Sequence, residues 1–328
     1  MPIALLKFPT DLLGEVFKEC NPFELYTLSL CSQRIRLILK SRKLRCWKVS
    51  CHRSYFVRTI DVMCRDVVYE FRKVRSPEDC YKIDDRGMQI EFRNGEIMDS
   101  LDYMLNLFEC STMEFIRPTT YNDLLKFSRI AIDKKLAIEE FYMDKWNNDQ
   151  EFSDSLALIN QLNITKQLDL DHRVSSQGVQ YRLTRFPNKL QIFNSSWFSI
   201  EQLMTCTSAD IYLRGSYLTN QDLDRFLQKW KRGELPNLRD MHGKSIKLDS
   251  ESPILGMYPP IRGQTKTTIK RISVDDTWDF RCVKIRNDQG REGLLEIDLR
   301  PPHFSFAVIG PTDIVVEGID ESSDDSDF

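Results

Sequence analysis

The sequence predicts a mixed fold, part α+β and part α/β: three N-terminal helices, then strand–helix units, then closing antiparallel strands. Three observations carry the prediction. Before residue 50, apolar residues recur at helical spacing, and Pro9 and Pro22 mark helix starts. From about residue 113 to 241, short strand-like pieces alternate with helical stretches at a spacing of roughly 20 to 30 residues. After Lys244, strand-like runs are separated by turn residues.

The first helix follows Pro9, whose missing N–H costs nothing at a helix start, with Thr10 or Asp11 as candidate cap. Leu12, Leu13, Val16, Phe17 and Cys20 lie at helical intervals along it. Asn21-Pro22 ends it, because a residue before proline is pushed out of the α region. Pro22 then opens a second helix bearing Leu25, Leu28 and Leu30. Ser32 is placed to cap a third, with Ile35, Ile38 and Leu39 on one face.

The run "YFVRTIDVMCRDVVYEF" is rich in β-branched and aromatic residues and reads as strand. "YKIDDRGMQIEF" reads as two strands around a turn at Asp85-Arg86-Gly87. The pieces "MEFI", "IEEFYM", "QLDLD", "LQIFN", "DIYL" and "LRDM" follow, with "NDLLKFSRIAI" and "DSLALINQL" as helices between them. Their spacing overlaps that of leucine-rich repeats, so the region reads as leucine-rich-repeat-like units that stack to bury a shared core. Thr219 or Asn220 caps a helix with Leu223, Phe226, Leu227 and Trp230 on its inner face, ended by Gly233 and Pro236. "KTTIKRISV", "FRCVKIRND", "LLEIDL" and "FSFAVI" read as closing strands, and the acidic "EGIDESSDDSDF" as a disordered tail. The chain thus divides into residues 1–50, 51–112 (strand-rich), 113–244, 245–315 and 316–328.

A hydrophobic fraction of 41% supports a core, and the net charge of −3 gives no global pull towards nucleic acid or acidic membranes. No apolar run approaches the length of about 18 residues that a membrane span needs. The chain has nine cysteines, without even spacing. They read as reduced, buried thiols, and the protein as intracellular, in cytoplasm or nucleus.

Short helices of this kind leave apolar positions that need a second surface, supplied by the rest of the chain or by another protein. The stretch from Phe8 to Trp47 resembles the F-box motif. Phe8-Pro9 stands for its Leu-Pro, and Asp11, Leu12 and Leu13 for its acidic and apolar opening. Val16-Phe17 stands for its Ile-Phe, and Asn21-Pro22 with Leu25 for its Asp-Pro-x-x-Leu turn. Leu28 to Ser32 stands for its Leu-x-Leu-Val-Ser run, with Trp47 as the closing tryptophan. Cys31 replaces the usual valine and Ile35 the usual tryptophan. The resemblance implies docking to the Skp-type adaptor of a cullin-based ubiquitin ligase. The implied contacts are Phe8, Pro9, Leu12, Leu13, Val16, Pro22, Leu25, Leu28 and Cys31. The alternative is that these helices pack internally in a ligase-independent scaffold.

A second stretch, about residues 190–245, resembles the F-box-associated type 2 domain of the expanded nematode F-box families. Trp197, Leu203, Ile211, Leu213, Leu218, Phe226, Leu227, Trp230, Gly233, Pro236 and Leu238 carry the likeness, and Asp224 replaces an expected asparagine. The pair implies a substrate-recruiting adaptor, not itself an enzyme, with unknown protein cargo held by the C-terminal part. Ile254, Leu255, Met257 and Tyr258, in a proline-rich stretch that no regular element buries, are the candidate cargo contacts.

Other chemistry has weaker support. No glycine-rich phosphate loop is present. Cys46, Cys51, His52 and Cys64 fit no usual zinc spacing, so neither metal nor cofactor is expected. Asp169, Asp171 and His172 read as a solvated strand end. The cations Arg34, Arg36, Lys40, Arg42, Lys43, Arg45, Lys48 and Arg53 read as a solvated helix face or a patch that steers an acidic protein, rather than a nucleic-acid site. Ser322, Ser323 and Ser326 are candidate phosphorylation sites.

Overall fold

The computed structural model describes residues 7–41, 47–54, 57–64, 67–74, 76–84, 87–145, 148–174, 181–264, 266–271 and 276–318. The turn residues Asp85 and Arg86, the cations Arg42, Lys43 and Arg45, Cys46, residues 175–180 and the tail serines lie outside them. The chain forms two compact units, Met1–Lys166 and Gln167–Phe328.

In the first unit, α1 (Thr10–Glu19) places Leu13 and Phe17 inward, one turn apart. Its N-terminus has no side-chain cap: Pro9 itself precedes the first turn. α2 (Pro22–Cys31) starts in a capping box, in which Asn21 Oδ1 accepts from the Glu24 amide (3.0 Å) and Glu24 Oε2 from the Asn21 amide (2.8 Å). α3 (Gln33–Ser41) buries Ile35, Ile38 and Leu39. Strands β1 (Lys48–Ser54), β2 (Val57–Cys64) and β3 (Val67–Lys73) form an antiparallel meander. β4 (Ile83–Asp84) and β5 (Gly87–Ile90) add to its β3 edge.

α4 (Ile97–Leu107) lies in a segment expected to be strand-rich. It buries Ile97, Met98, Leu101, Met104, Leu105 and Leu107, and Asp99, Asp102 and Asn106 form its polar stripe at helical spacing. β6 (Thr112–Ile116), α5 (Tyr121–Lys134), β7 (Ala137–Met143) and α6 (Asp149–Ile159) follow. The strand order is β4-β5-β3-β2-β1-β6-β7, with β1, β6 and β7 mutually parallel. β8 (Asn163–Leu170) begins in this unit, and its residues Gln167 to Leu170 pair with β9 (Lys189–Ile192) in the second.

In the second unit β8, β9, β10 (Asp210–Ser216) and β11 (Asp240–Ser245) are parallel neighbours in chain order. α7 (Ile200–Thr205) and α8 (Asn220–Lys231) connect them. α8 begins in a Thr219/Asp222 capping box and is followed by Gly233 at φ +79°, a conformation that only glycine adopts without strain. Trp230 is buried edge-on against Phe306, with centroids 4.8 Å apart.

β12 (Lys266–Arg271), β13 (Asp276–Phe280), β14 (Val283–Arg286), β15 (Glu292–Leu299), β16 (Pro302–Val308) and β17 (Asp313–Gly318) complete the unit. β16, β15 and β14 extend the sheet antiparallel from β11. At Gly243 a Cβ would sit 2.3 Å from the Leu213 carbonyl oxygen and 2.5 Å from the Phe304 ring, so close packing here requires glycine. β13, β12 and β17 form a second antiparallel sheet, whose ladder reaches Gly318, beyond the point where composition places the start of the tail. Arg271 of β12 is buried and reaches Asp240 of β11 at 2.7 Å.

Two smaller expectations are corrected. Asp169 and His172 are buried, not solvated, and Asp169 accepts from Gln167 Nε2 at 2.9 Å. The basic cluster is not one helix face: Arg34 and Arg36 lie on α3, whereas Lys48 and Arg53 lie on β1. Lys48 pairs with Glu139 at 2.8 Å.

Candidate functional site

The N-terminal candidate residues divide into two sets. Leu13 (0% exposed), Leu25 (2%) and Pro22 are interior. Leu12 (55%) and Val16 (38%) are open, one turn apart on the same face of α1. Pro9 and Cys31 are also exposed, while Phe8 and Leu28 are half-buried. The Phe8 carbonyl accepts from Arg34 Nη2 at 3.2 Å, which ties the start of α1 to α3. Leu37 on α3 is more open still and was not among the expected contacts. Its place opposite Ile35 and Ile38 in the helical period is the signal that could have found it.

The interior set is covered by the first unit itself. Phe23 stands edge-on to Tyr69 (centroids 5.3 Å apart) and Phe71 (5.0 Å) of β3. Tyr26 packs between Phe71 and Tyr103 of α4. Ser29 Oγ donates to the Tyr26 carbonyl at 2.6 Å, so its single proton is used, and Tyr103 Oη donates to Ser29 Oγ, also at 2.6 Å. Burial holds the Tyr26 phenol well above its usual range, protonated at any physiological pH. α2 is therefore fixed on a β3–α4 surface, and α1 is left with an open apolar face.

The proline-rich candidate segment is partly anchored. Ile254 is fully buried, and its backbone pairs both ways with Met257 (2.8 and 2.9 Å) around a tight turn. Leu255 sits in the turn at φ +50°, its amide donating to Asp224 Oδ1 at 2.7 Å. Leu255 and Met257 are half-buried, and Tyr258 is 63% exposed. Tyr258 is thus the outward side chain, while Ile254 belongs to the core.

Strand alternation exposes a second surface that sequence reasoning passed over. Gln191, Tyr212, Arg214, His242 and Lys244 lie opposite in sheet register to the buried Leu190, Ile192, Ile211, Leu213 and Met241. Tyr212 stands beside Phe193, with centroids 5.9 Å apart. Arg239 clamps Asp210 with two of its nitrogens, at the end of the same face.

Of the metal candidates, Cys46 and the Cys64 side chain lie outside the described residues. Cys51 and His52 are neighbours on β1 and so point to opposite faces. Cys51 is buried, and burial pushes its thiol well above the usual range. His52 Nε2 lies 2.8 Å from Asp61 Oδ2. Among the described residues no group of His, Cys, Asp and Glu stands together as a metal site, and no helix is long and apolar enough to cross a membrane.

Comparison with known proteins identifies both modules. Residues 5–47 match the F-box domain family, and residues 180–242 match the F-box associated family. The Skn-1 dependent zygotic transcript 15 protein of Caenorhabditis elegans is 23% identical over 291 aligned residues, covering 77% of this chain and 83% of that protein. No solved structure matches the chain.

Proposed function

Because this chain is an F-box protein of the nematode type, with an N-terminal F-box and a C-terminal F-box-associated domain, we propose that it recruits substrates to a cullin-type ubiquitin ligase. Both families are interaction modules rather than enzymes, and the proposed role is proximity: the chain binds cargo beside a transferase carried by another subunit. In this reading a Skp-type adaptor covers the open face of the F-box, through Pro9, Leu12, Val16 and Cys31, with Phe8 and Leu28 at its margin. Leu13, Pro22 and Leu25 hold the helices in shape beneath that contact. The observation that carries the reading is the exposed Leu12–Val16 stripe on a helix whose other face is already satisfied.

The second unit is the cargo-binding part of the proposal, as a leucine-rich-repeat-like scaffold. Tyr258, outward beside an anchored turn, and the strand face around Tyr212 and Arg214 offer side chains to such a cargo. The alternative scaffold reading draws on the packing of α2 against β3 and α4. That packing accounts for α2 but leaves α1 uncovered, which favours the adaptor. The test is co-purification with a Skp-type adaptor: Leu12→Asp and Val16→Asp are expected to abolish capture while leaving the thermal midpoint unchanged. Full capture by both folded variants would overturn the reading. Tyr258→Ala is expected to change the set of captured cargo proteins and not adaptor binding.

A further inference from the structure

A cleft of about 670 Å³ lies in the first unit, lined by α3, the turn before α4, α4 and α5. Arg36, Arg93, Lys126 and Arg129 line it, against two carboxylates, Asp99 and Asp102. Both carboxylates are already engaged: Asn94 Nδ2 donates to Asp99 at 2.6 Å, and Lys134 pairs with Asp102 at 3.1 Å. Lys126 is paired with Glu96. Arg36, Arg93 and Arg129 have no carboxylate partner among the described residues.

Two of these arginines converge on one ring. The guanidinium carbon of Arg93 lies 3.7 Å from the centroid of Tyr103, and that of Arg36 lies 5.3 Å from it. The ring is itself fixed, because its hydroxyl is bonded to Ser29. The Nε atoms of both arginines are buried without an acceptor. Two like charges that line one cleft without a carboxylate partner repel each other, and an anion in the cleft offsets that cost. Arg36 and Arg93 are already held against the Tyr103 ring, so less ordering opposes such a ligand.

We propose that this cleft binds a phosphate monoester, with the phosphate among Arg93, Arg36 and Arg129. A carboxylate presents two oxygens in one plane; a phosphate monoester presents three spread about phosphorus, which suits donors from three separate elements. The cleft is far larger than the ion alone, and Leu107 and Ile130 supply apolar wall for the ester's organic body. A free small ester and a phosphorylated side chain of a protein share this chemistry. The inference is independent of the adaptor reading, because Leu12 and Val16 do not line the cleft.

The test titrates the full chain by calorimetry with phenyl phosphate, and in a parallel arm with a short phosphotyrosine peptide and its unphosphorylated form. Saturable binding of the phosphorylated probes is expected, weakened about tenfold or more by Arg93→Gln and by Arg129→Gln, and weakened by added salt. Arg129 is exposed, so Arg129→Gln decides the matter even where Arg93→Gln perturbs folding. A tighter peptide than phenyl phosphate assigns the ligand to a protein side chain, and the reverse order assigns it to a free ester. No saturable binding of either probe, equal binding of the unphosphorylated peptide, or binding indifferent to both substitutions overturns the proposal.

Discussion

Leu12 and Leu25 sit on neighbouring helices and would answer to a charge in opposite ways. Leu12 faces solvent, so Leu12→Asp should leave the unfolding midpoint within error of wild type. Leu25 is interior, and even Leu25→Ala is expected to cost about 2–5 kcal/mol, measured by denaturant unfolding. His52 gives a second residue-scale prediction. Its hydrogen bond to Asp61 raises its pKa above the ordinary value, with burial opposing; Glu70 adds to the rise, and Arg117 opposes it. The folded state therefore holds the proton more tightly than the unfolded chain. The resulting stabilisation is complete below the unfolded value of about 6.5 and is lost as pH rises through the elevated folded one. His52→Gln should accordingly cost more stability at about pH 6 than at about pH 9, read by thermal unfolding at each pH. An equal cost at both would show that the Asp61 contact carries no net charge coupling.

At the scale of elements, α2 links the F-box to the sheet that follows it. Its start depends on the reciprocal Asn21–Glu24 bonds, and Asn21→Ala is expected to destabilise the first unit by about 1 kcal/mol. Chemical denaturation followed by Tyr and Trp fluorescence measures this. α2 also carries both sides of the functional partition: Tyr26 and Ser29 dock on α4, while Cys31 at its end remains open. The capping box was present in the sequence as Asn-Pro-Phe-Glu, but the break at Asn21-Pro22 was the stronger signal there. α4 was legible in principle, because Asp99, Asp102 and Asn106 fall on one stripe opposite Ile97, Leu101, Met104 and Leu105; the β-rich run before it drew the whole segment towards strand. The strand pieces did show themselves, as short apolar and aromatic runs recurring between helical stretches; "LRDM" coincides with β11 only at its end.

For the molecule as a whole, the two sheets of the second unit meet through an apolar cluster of Ile269, Leu294 and Ala307, an exposed Lys284–Glu317 pair and one buried cation. Arg271 is 2% exposed and meets Asp240 at 2.7 Å, with the carbonyls of Arg239 and Val308 each 3.5 Å from the same nitrogen. Removing the cation leaves Asp240 with the longer contacts to Arg239 and His242, each 3.7 Å, so Arg271→Ala is expected to cost about 3 kcal/mol. Arg271→Met, which refills the volume, should cost less than Arg271→Ala; the ordering of the two unfolding free energies checks this. A larger loss for Arg271→Met would mean that packing, and not the charge pair, governs the joint.

The sequence by itself determined what depends on near neighbours. The proline-marked helix starts, the Thr219 cap and Gly233 stop of α8, the strand pieces and the two family resemblances are all written within a few residues of one another. Only tertiary structure decided which surfaces those elements cover. Leu12 and Leu13 are adjacent and chemically identical, and helical geometry says only that they point in different directions. That Leu13 is core and Leu12 is open follows from where α3 and the β3–α4 surface lie, as does the coverage of Leu25. Likewise, nothing local to Arg36, Arg93 or Arg129 links them; they line one cleft because α3, α4 and α5 pack side by side. Long-range packing brings together residues that short-range propensities keep apart, and the candidate docking face and the basic cleft both arise at that level.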